Sequence, residues 1–249
     1  MAASISNTVN ENPHGGFVAA TWNALLLFGT LGILTLSLLA LAYFGKGPMR
    51  SVGFSTDPNP VQIVIGNDVY SIPENMVRHR GQRTAGISGR VELIVHWPSG
   101  EGYSPARLAE FASTDPDMVN TVLIGLSQRH SLLDMQSRFR PALSRALVDQ
   151  SVVQIAGGLF EAELDAQYGF IDETLVYSIS SGPGSEPAFV ARCQAEKAEE
   201  VLLHPCELDS FVGVSGVARV RFERGQLNDW RSFQLWLDRT LKSFLLEAG

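Results

Sequence analysis

No Asp, Glu, Lys or Arg occurs between Glu11 and Lys46. Inside that interval residues 17–44 are mostly apolar, and residues 25–44 are dominated by leucine, with Phe28, Ile33 and Phe44. A hydrocarbon layer about 30 Å thick takes about 20 helical residues at about 1.5 Å each. A backbone in lipid must satisfy its own hydrogen bonds, and a helix does so. The stretch therefore predicts one transmembrane helix over 17–44. Trp22 and Tyr43 lie near its two ends, where aromatic belts form. Ala20 and Ala24 make a small-xxx-small pair of the kind that helix partners use. A cleaved signal peptide is the alternative, with Ala40-Leu-Ala42 as its processing site. Against cleavage, no Lys or Arg precedes the run, and the run exceeds the 7–15 residues of a usual apolar signal region.

The flanks are simple. Residues 1–16 are polar and too poor in apolar side chains to order themselves, which predicts a flexible tail. Residues 45–60 hold three Gly and three Pro and predict a linker. Residues 61–249 remain as the globular body, enough for one sizeable core.

Net charge is −7 over 249 residues, unevenly placed. Residues 1–150 carry 11 Lys plus Arg against 11 Asp plus Glu; residues 151–249 carry 8 against 15. An acidic second half argues against nucleic acid, which needs a basic footprint.

Hydrophobic periodicity lays out the body. Val61 to Ile65 and Asp68 to Ile72 flank Gly66-Asn67 and read as a hairpin ended by Pro73. A single helical turn at Glu74 to Met76 follows. Arg90 to Trp97 alternates, with Val91, Leu93 and Val95 on one face and Glu92, Ile94 and His96 on the other. Ser104-Pro105 opens a short helix, and Asn120 to Gln128 is a strand. Ser131 with Asp134 resembles a capping box and predicts a helix to about Leu147, bent at Pro141. Short strands are expected within 152–180, at Phe189 to Cys193 and at Val214 to Glu223. Asn228 caps a last helix whose stripe is Leu227, Trp230, Phe233, Leu237, Leu241, Phe244 and Leu245. Strands interleaved irregularly with three helices predict an α+β fold.

Several of these pieces occur together in a known setting: Val64-Ile-Gly66, Ile72-Pro73-Glu-Asn75-Met-Val-Arg78, Trp97-Pro98, Glu101-Gly-Tyr103, Phe189-Val-Ala-Arg-Cys193 and Arg221-Phe222 with Asp229-Trp230-Arg231. Over residues 61 to about 240 the chain resembles an uncharacterised family of bacterial single-pass membrane-anchored proteins. The resemblance implies an anchored globular domain and brings no activity or site residues with it.

Chemical motifs are sparse. Gly86-Ile-Ser88-Gly89 and Gly213-Val-Ser215-Gly216 miss the spacing of a hydrolase elbow, and no phosphate-cradling glycine motif occurs. His14, His79, His96, His130 and His204 lie at no ligand spacing from one another, from Cys or from a carboxylate. His204-Pro-Cys206 offers two ligands where zinc wants three or four. No catalytic residue, metal or cofactor is therefore expected. The two cysteines, Cys193 and Cys206, are spaced for a disulfide across an acidic loop. Two buried thiols in a reducing compartment are the alternative.

Arg78, Arg80, Arg83 and Arg90 lie in a glycine-bearing loop free of acids, a local charge of +4. Residues 161–209 hold eleven acids against Arg192 and Lys197. The arginines suit an anionic partner: a lipid headgroup, a phosphate-bearing glycan or an acidic protein. The alternative is that the basic loop and the acidic segment face each other, or that both are solvated.

The reading that results is a non-enzymatic, membrane-anchored binding and assembly module of the bacterial cell envelope, contacting the bilayer and a membrane or envelope protein. A hydrolase acting on an envelope lipid or polymer is the alternative. Lys46 and Arg50 would place the body in the cytoplasm by the positive-inside rule. The cysteine pair and the resemblance place it in the periplasm, anchored in the inner membrane, and that side is the expectation.

Overall fold

The computed structural model describes residues 29–37, 53–179, 182, 186–196, 198 and 202–246. The chain divides into two units, Met1–Val52 and Gly53–Gly249. In the first, residues 29–37 form a helix, α1, with Leu31, Ile33, Leu34 and Leu36 exposed. Among the described residues no helix is long and apolar enough to cross a membrane. The rest of the expected 17–44 span lies outside the described residues, as do the 1–16 tail and residues 45–52 of the linker.

The second unit begins earlier than the apolar pattern suggested. Phe54 stacks on Tyr103, with ring centroids 4.8 Å apart, and meets Phe111 edge-on. Asp57 and Asn59 accept hydrogen bonds from the backbone of Asn75 and Glu74. Residues 53–60 are thus part of the packed domain, held by the Phe54 ring, by these backbone bonds, by Ser55 Oγ donating to Glu74 Oε1 and by Arg83 donating to Gly53 O.

Strand β1 (Pro60–Ile65) and β2 (Asp68–Pro73) form the expected hairpin, paired from Pro60↔Pro73 to Ile65↔Asp68. Gly66 has φ +62, as the first central position of a type II′ turn requires. β3 (Gly86–Ile87) lies parallel beside β1 to complete a three-stranded sheet. The second sheet has eight strands. They are β4 (Arg90–His96), β5 (Thr121–Gln128), β6 (Val153–Gln154), β7 (Leu159–Glu163), β8 (Glu173–Ser178), β9 (Val190–Gln194), β10 (Cys206–Val212) and β11 (Gly216–Phe222). Their spatial order is β4-β5-β11-β10-β9-β8-β7-β6, with every neighbouring pair antiparallel. With few helices beside two sheets, the fold is α+β.

One edge of the large sheet is β4, and the chain covers it. Arg78 N–H donates to Glu92 O, Gln82 Oε1 accepts the Glu92 N–H, and His96 N–H donates to Glu101 O. An open row of such groups would template aggregation.

Helix α2 (Leu108–Ala112) follows a 3-10 turn at Pro105–Arg107. The expected helix from 131 to 147 is replaced by turns and a 3-10 segment, Leu143–Ala146. Ser131 Oγ stays within its own turn, accepting the Leu133 N–H at 3.1 Å. Met135 N–H is drawn away to the carboxylate of Asp209, and Pro141 has no N–H to give. Helix α3 (Trp230–Phe244) does form, after a 3-10 turn at Arg224–Asp229. Its stripe is core: Phe233 packs on Phe222 at 4.7 Å and on Trp97 at 5.3 Å. Leu245 then leaves the helix and bridges to Tyr70 of β2.

Both faces of β4 are buried. Val91, Leu93 and Val95 enter the main core with α3 and the small sheet, while Ile94 joins Tyr103, Phe111 and Leu123 in a second cluster. Replacing the fully buried Phe233 with Ala should lower the unfolding free energy by about 3–5 kcal/mol. Leu235→Ala, on the exposed face, should change it by no more than about 0.5 kcal/mol. Urea denaturation checks both, and equal effects would contradict the packing of α3.

Candidate anion-binding groove

The carboxylate of Asp68 fixes one end of the second unit. It accepts the Val214 N–H at 2.8 Å, the Ser215 N–H at 2.7 Å and the Ser215 hydroxyl at 2.9 Å. Ser215 Oγ accepts the Asn67 N–H, and Ser215 O accepts the Arg129 N–H. The hairpin tip, the β10–β11 turn and the end of β5 are therefore tied together. Gly213 has φ +67, and a β-carbon there would come 2.6 Å from the Asp68 carboxylate. Burial alone would raise the Asp68 carboxyl; the donors of Val214, Ser215 and Gly216 outweigh it and hold it below its ordinary value. Behind it, burial and then the Asp68 charge push the Tyr70 hydroxyl up.

From this tie a groove of about 330 Å³ runs across the outer face of β4, β5, β11 and β10. Strand alternation supplies its lining. Ala218, Val220 and Phe222 face the core, so Val217 and Arg219 face out. Arg219 lies opposite Gly125, and Gly125 lies opposite Glu92. A β-carbon at Gly125 would come 3.2 Å from both Arg90 Nη2 and Glu92 Oε1, so the glycine leaves room for that ion pair.

Four arginines line the groove, in different states. Arg90 pairs with Glu92, and Arg138 with Asp209. Arg219 Nε is 3.6 Å from Glu207 and largely exposed. Arg129 lies over the Phe211 ring, 5.0 Å from its centroid, and has no carboxylate partner among the described residues. Arginine suits carboxylate and phosphate, whose geometry its planar fork matches.

The four arginines named from the sequence do not converge. Arg83 is a staple: its Nε donates to Val77 O at 3.0 Å and its Nη2 to Arg78 O and Gly53 O. Burial lowers its pKa, with Glu74 opposing. Arg78 and Arg80 are exposed beside it, and only Arg90 reaches the groove. Among the described residues the carboxylates of the acidic segment that form ion pairs do so with Arg138, Arg140, Arg192, Arg219 and Arg224, none of them in this loop. No local sequence signal marks Arg129 or Arg138. The alternation of β11 already placed Arg219 outward, but nothing local brings it to Arg129 or Arg138.

Cys193 and Cys206 are joined as a disulfide, S–S 2.03 Å, at directly paired positions of β9 and β10, and both are buried. His204, next to it, is buried with φ +58. Its Nε2–H donates to Thr121 O at 2.9 Å, and its backbone N–H donates to Glu223. Burial pushes its pKa down to about 4 against the Thr121 bond, helped by Arg221 and Arg78, so it is neutral at physiological pH. Burial likewise pushes Glu223 up.

A serine, a histidine and a carboxylate do meet at the end of β4. His96 Nδ1 is 2.8 Å from Ser99 Oγ, and Nε2 is 2.7 Å from Glu110 Oε2. Ser99 Oγ also lies 3.1 Å from Glu101 Oε2 and accepts the Glu101 N–H. Gly100 N–H is committed to His96 O. The Gly100 and Glu101 amides are thus engaged in the turn. The cluster, closed by Arg107, fastens the loop over Ile94 and Tyr103. Among the described residues no group of three His, Cys, Asp or Glu could hold a metal ion.

No protein-family model matches this chain, and no curated protein matches it. Two solved structures resemble it at a distance. One is Smlt3025, an immunity protein of the Stenotrophomonas maltophilia type IV secretion system: 14% identity, 76% of this chain and 94% of that one, TM-score 0.49. The other is FrpD, an iron-regulated outer membrane lipoprotein of Neisseria meningitidis: 13% identity, 77% and 97%, TM-score 0.45.

The Asp68 tie gives a pH signature. A carboxyl with a depressed folded pKa stabilises fully above its unfolded value, here the ordinary 3.8, and that contribution is lost as pH falls through the folded value. Asp68→Asn should therefore cost about 1–3 kcal/mol at neutral pH and progressively less below pH 3.8. Urea titrations of both proteins across that range measure the difference, and a cost independent of pH would refute the ionised tie.

Proposed function

We propose that this chain is a membrane-anchored, non-enzymatic binding and assembly module of the bacterial cell envelope, whose arginine-lined groove engages an anionic protein partner. The observation that carries the reading is Arg129, a guanidinium held over Phe211 with no carboxylate partner among the described residues. Arg90 and Arg219 flank it in pairs that are half exposed on the arginine side. The long Arg219–Glu207 contact is worth about 0–1 kcal/mol, and Glu207 keeps Arg192 as a partner, so an incoming anion can displace it at small cost. The charge-free run at 17–44 supports an anchor in the inner membrane. The disulfide supports the periplasmic side, since such bonds persist in oxidising compartments. The hydrolase alternative gains nothing from Ser99, whose neighbouring amides are already engaged.

Co-purification of the full chain from native membranes in mild detergent tests this. Arg129→Glu with Arg219→Glu should cut recovery of the bound partner by about tenfold, or about 1.4 kcal/mol, and leave thermal melting unchanged. Arg80→Ser, outside the groove, should leave recovery unchanged. Full recovery by the folded double variant would refute the groove as the contact.

A further inference from the structure

A second groove lies away from the arginines, where the hairpin, the loop after β4 and helix α3 meet. It consists of two adjoining hollows of about 530 Å³ and about 400 Å³ that share Pro58, Pro73, Met76 and Gly100. Pro60 and Pro98 add two more rigid rings, and Phe244 adds apolar area.

Two buried polar atoms in its lining have no hydrogen-bond partner. One is the donor Trp236 Nε1, on a side chain only 6% exposed; the other is the acceptor Asn75 Oδ1. The amide of Asn75 is oriented, because its Nδ2 donates to Tyr103 O at 3.1 Å. Buried groups of this kind are nearly always paired. Two glycines lie against them. A β-carbon at Gly100 would come 3.5 Å from Trp236 Nε1, and one at Gly102 would come 2.5 Å from Asn75 Oδ1. Gly100 also has φ +75, which a side chain would strain.

We propose that this groove binds an extended, proline-containing peptide segment of a partner protein, with one main-chain carbonyl accepting from Trp236 Nε1 and one main-chain N–H donating to Asn75 Oδ1. A free donor and a free acceptor in one groove match the two groups that every non-proline peptide unit carries. An extended polyproline-type segment makes no internal hydrogen bonds, so both groups are available, and its stiffness suits walls of proline and aromatic rings. Arg239 lines the larger hollow and has no carboxylate partner among the described residues, so an acidic group or chain terminus belongs at that end. This site is independent of the arginine groove.

The test uses the full chain in detergent micelles, with ¹⁵N-labelled tryptophan and a decapeptide of alternating alanine and proline. The Trp236 indole N–H resonance should move saturably, while those of Trp22 and Trp230 stay in place. The same peptide methylated on each alanine nitrogen should bind about tenfold more weakly, because Asn75 Oδ1 would again lack a donor. Trp236→Phe, which keeps an aromatic ring, should lose about tenfold in affinity. An unmoved Trp236 resonance at excess peptide overturns the proposal, and so does equal binding of the methylated peptide. Those two readouts use the parent protein and stand even if Trp236→Phe does not fold.

Discussion

The hairpin, the β10–β11 turn and the end of β5 are held together by one carboxylate accepting hydrogen bonds from one turn. Asp68 sits at the start of β2 in the small sheet, and its donors sit in the β10–β11 turn of the large one. Charge-assisted bonds to backbone N–H are about twice as strong as neutral ones. Without the carboxylate, the Val214 and Ser215 amides would lose their acceptor. The tie also sets Arg129, whose backbone is bonded to Ser215, and thereby fixes one end of the groove. Gly66 and Gly213 supply the positive φ values on either side of it, and no larger residue fits beside the carboxylate at 213.

The groove is cationic without being highly charged, and that balance suits reversible binding. Three of its arginines already have carboxylates nearby, which limits repulsion among them. Arg129 has the Phe211 ring instead, a weaker partner that holds the guanidinium in place while its N–H groups remain available. Arginine and aromatic side chains are the types that dominate interface hot spots. Anchoring to a bilayer would confine this surface to partners within reach of the membrane and raise their effective concentration.

Local signals in the sequence were reliable where one stretch of chain decides its own structure. The Gly66-Asn67 hairpin, the alternation of β4 and the α3 stripe are of this kind. Elements decided by distant partners were not legible. Ser131 and Asp134 have the right spacing for a helix start, but Asp209, far along the chain, draws off the Met135 N–H. β10 carries no clear strand signal, because Glu207, Asp209 and Ser210 interrupt the buried Cys206, Leu208 and Val212. The groove follows the same rule. Arg83 looked like its neighbours in sequence and is a backbone staple, whereas Arg129 became an open cation only through the register of β5 against β11.

The decisive property is the openness of Arg129, and it can be observed as a resonance. The Nε–H signals of Arg129 and Arg83 would be followed by ¹H–¹⁵N NMR in the full chain in micelles, during titration with hexaglutamate at low and high salt. The Arg129 signal should shift saturably at low salt and less at high salt, because screening weakens exposed charge contacts. Arg83, bonded to Val77 O, should not move. An Arg129 signal that stays fixed, or one that shifts no more than Arg83, would contradict a groove built for an anion.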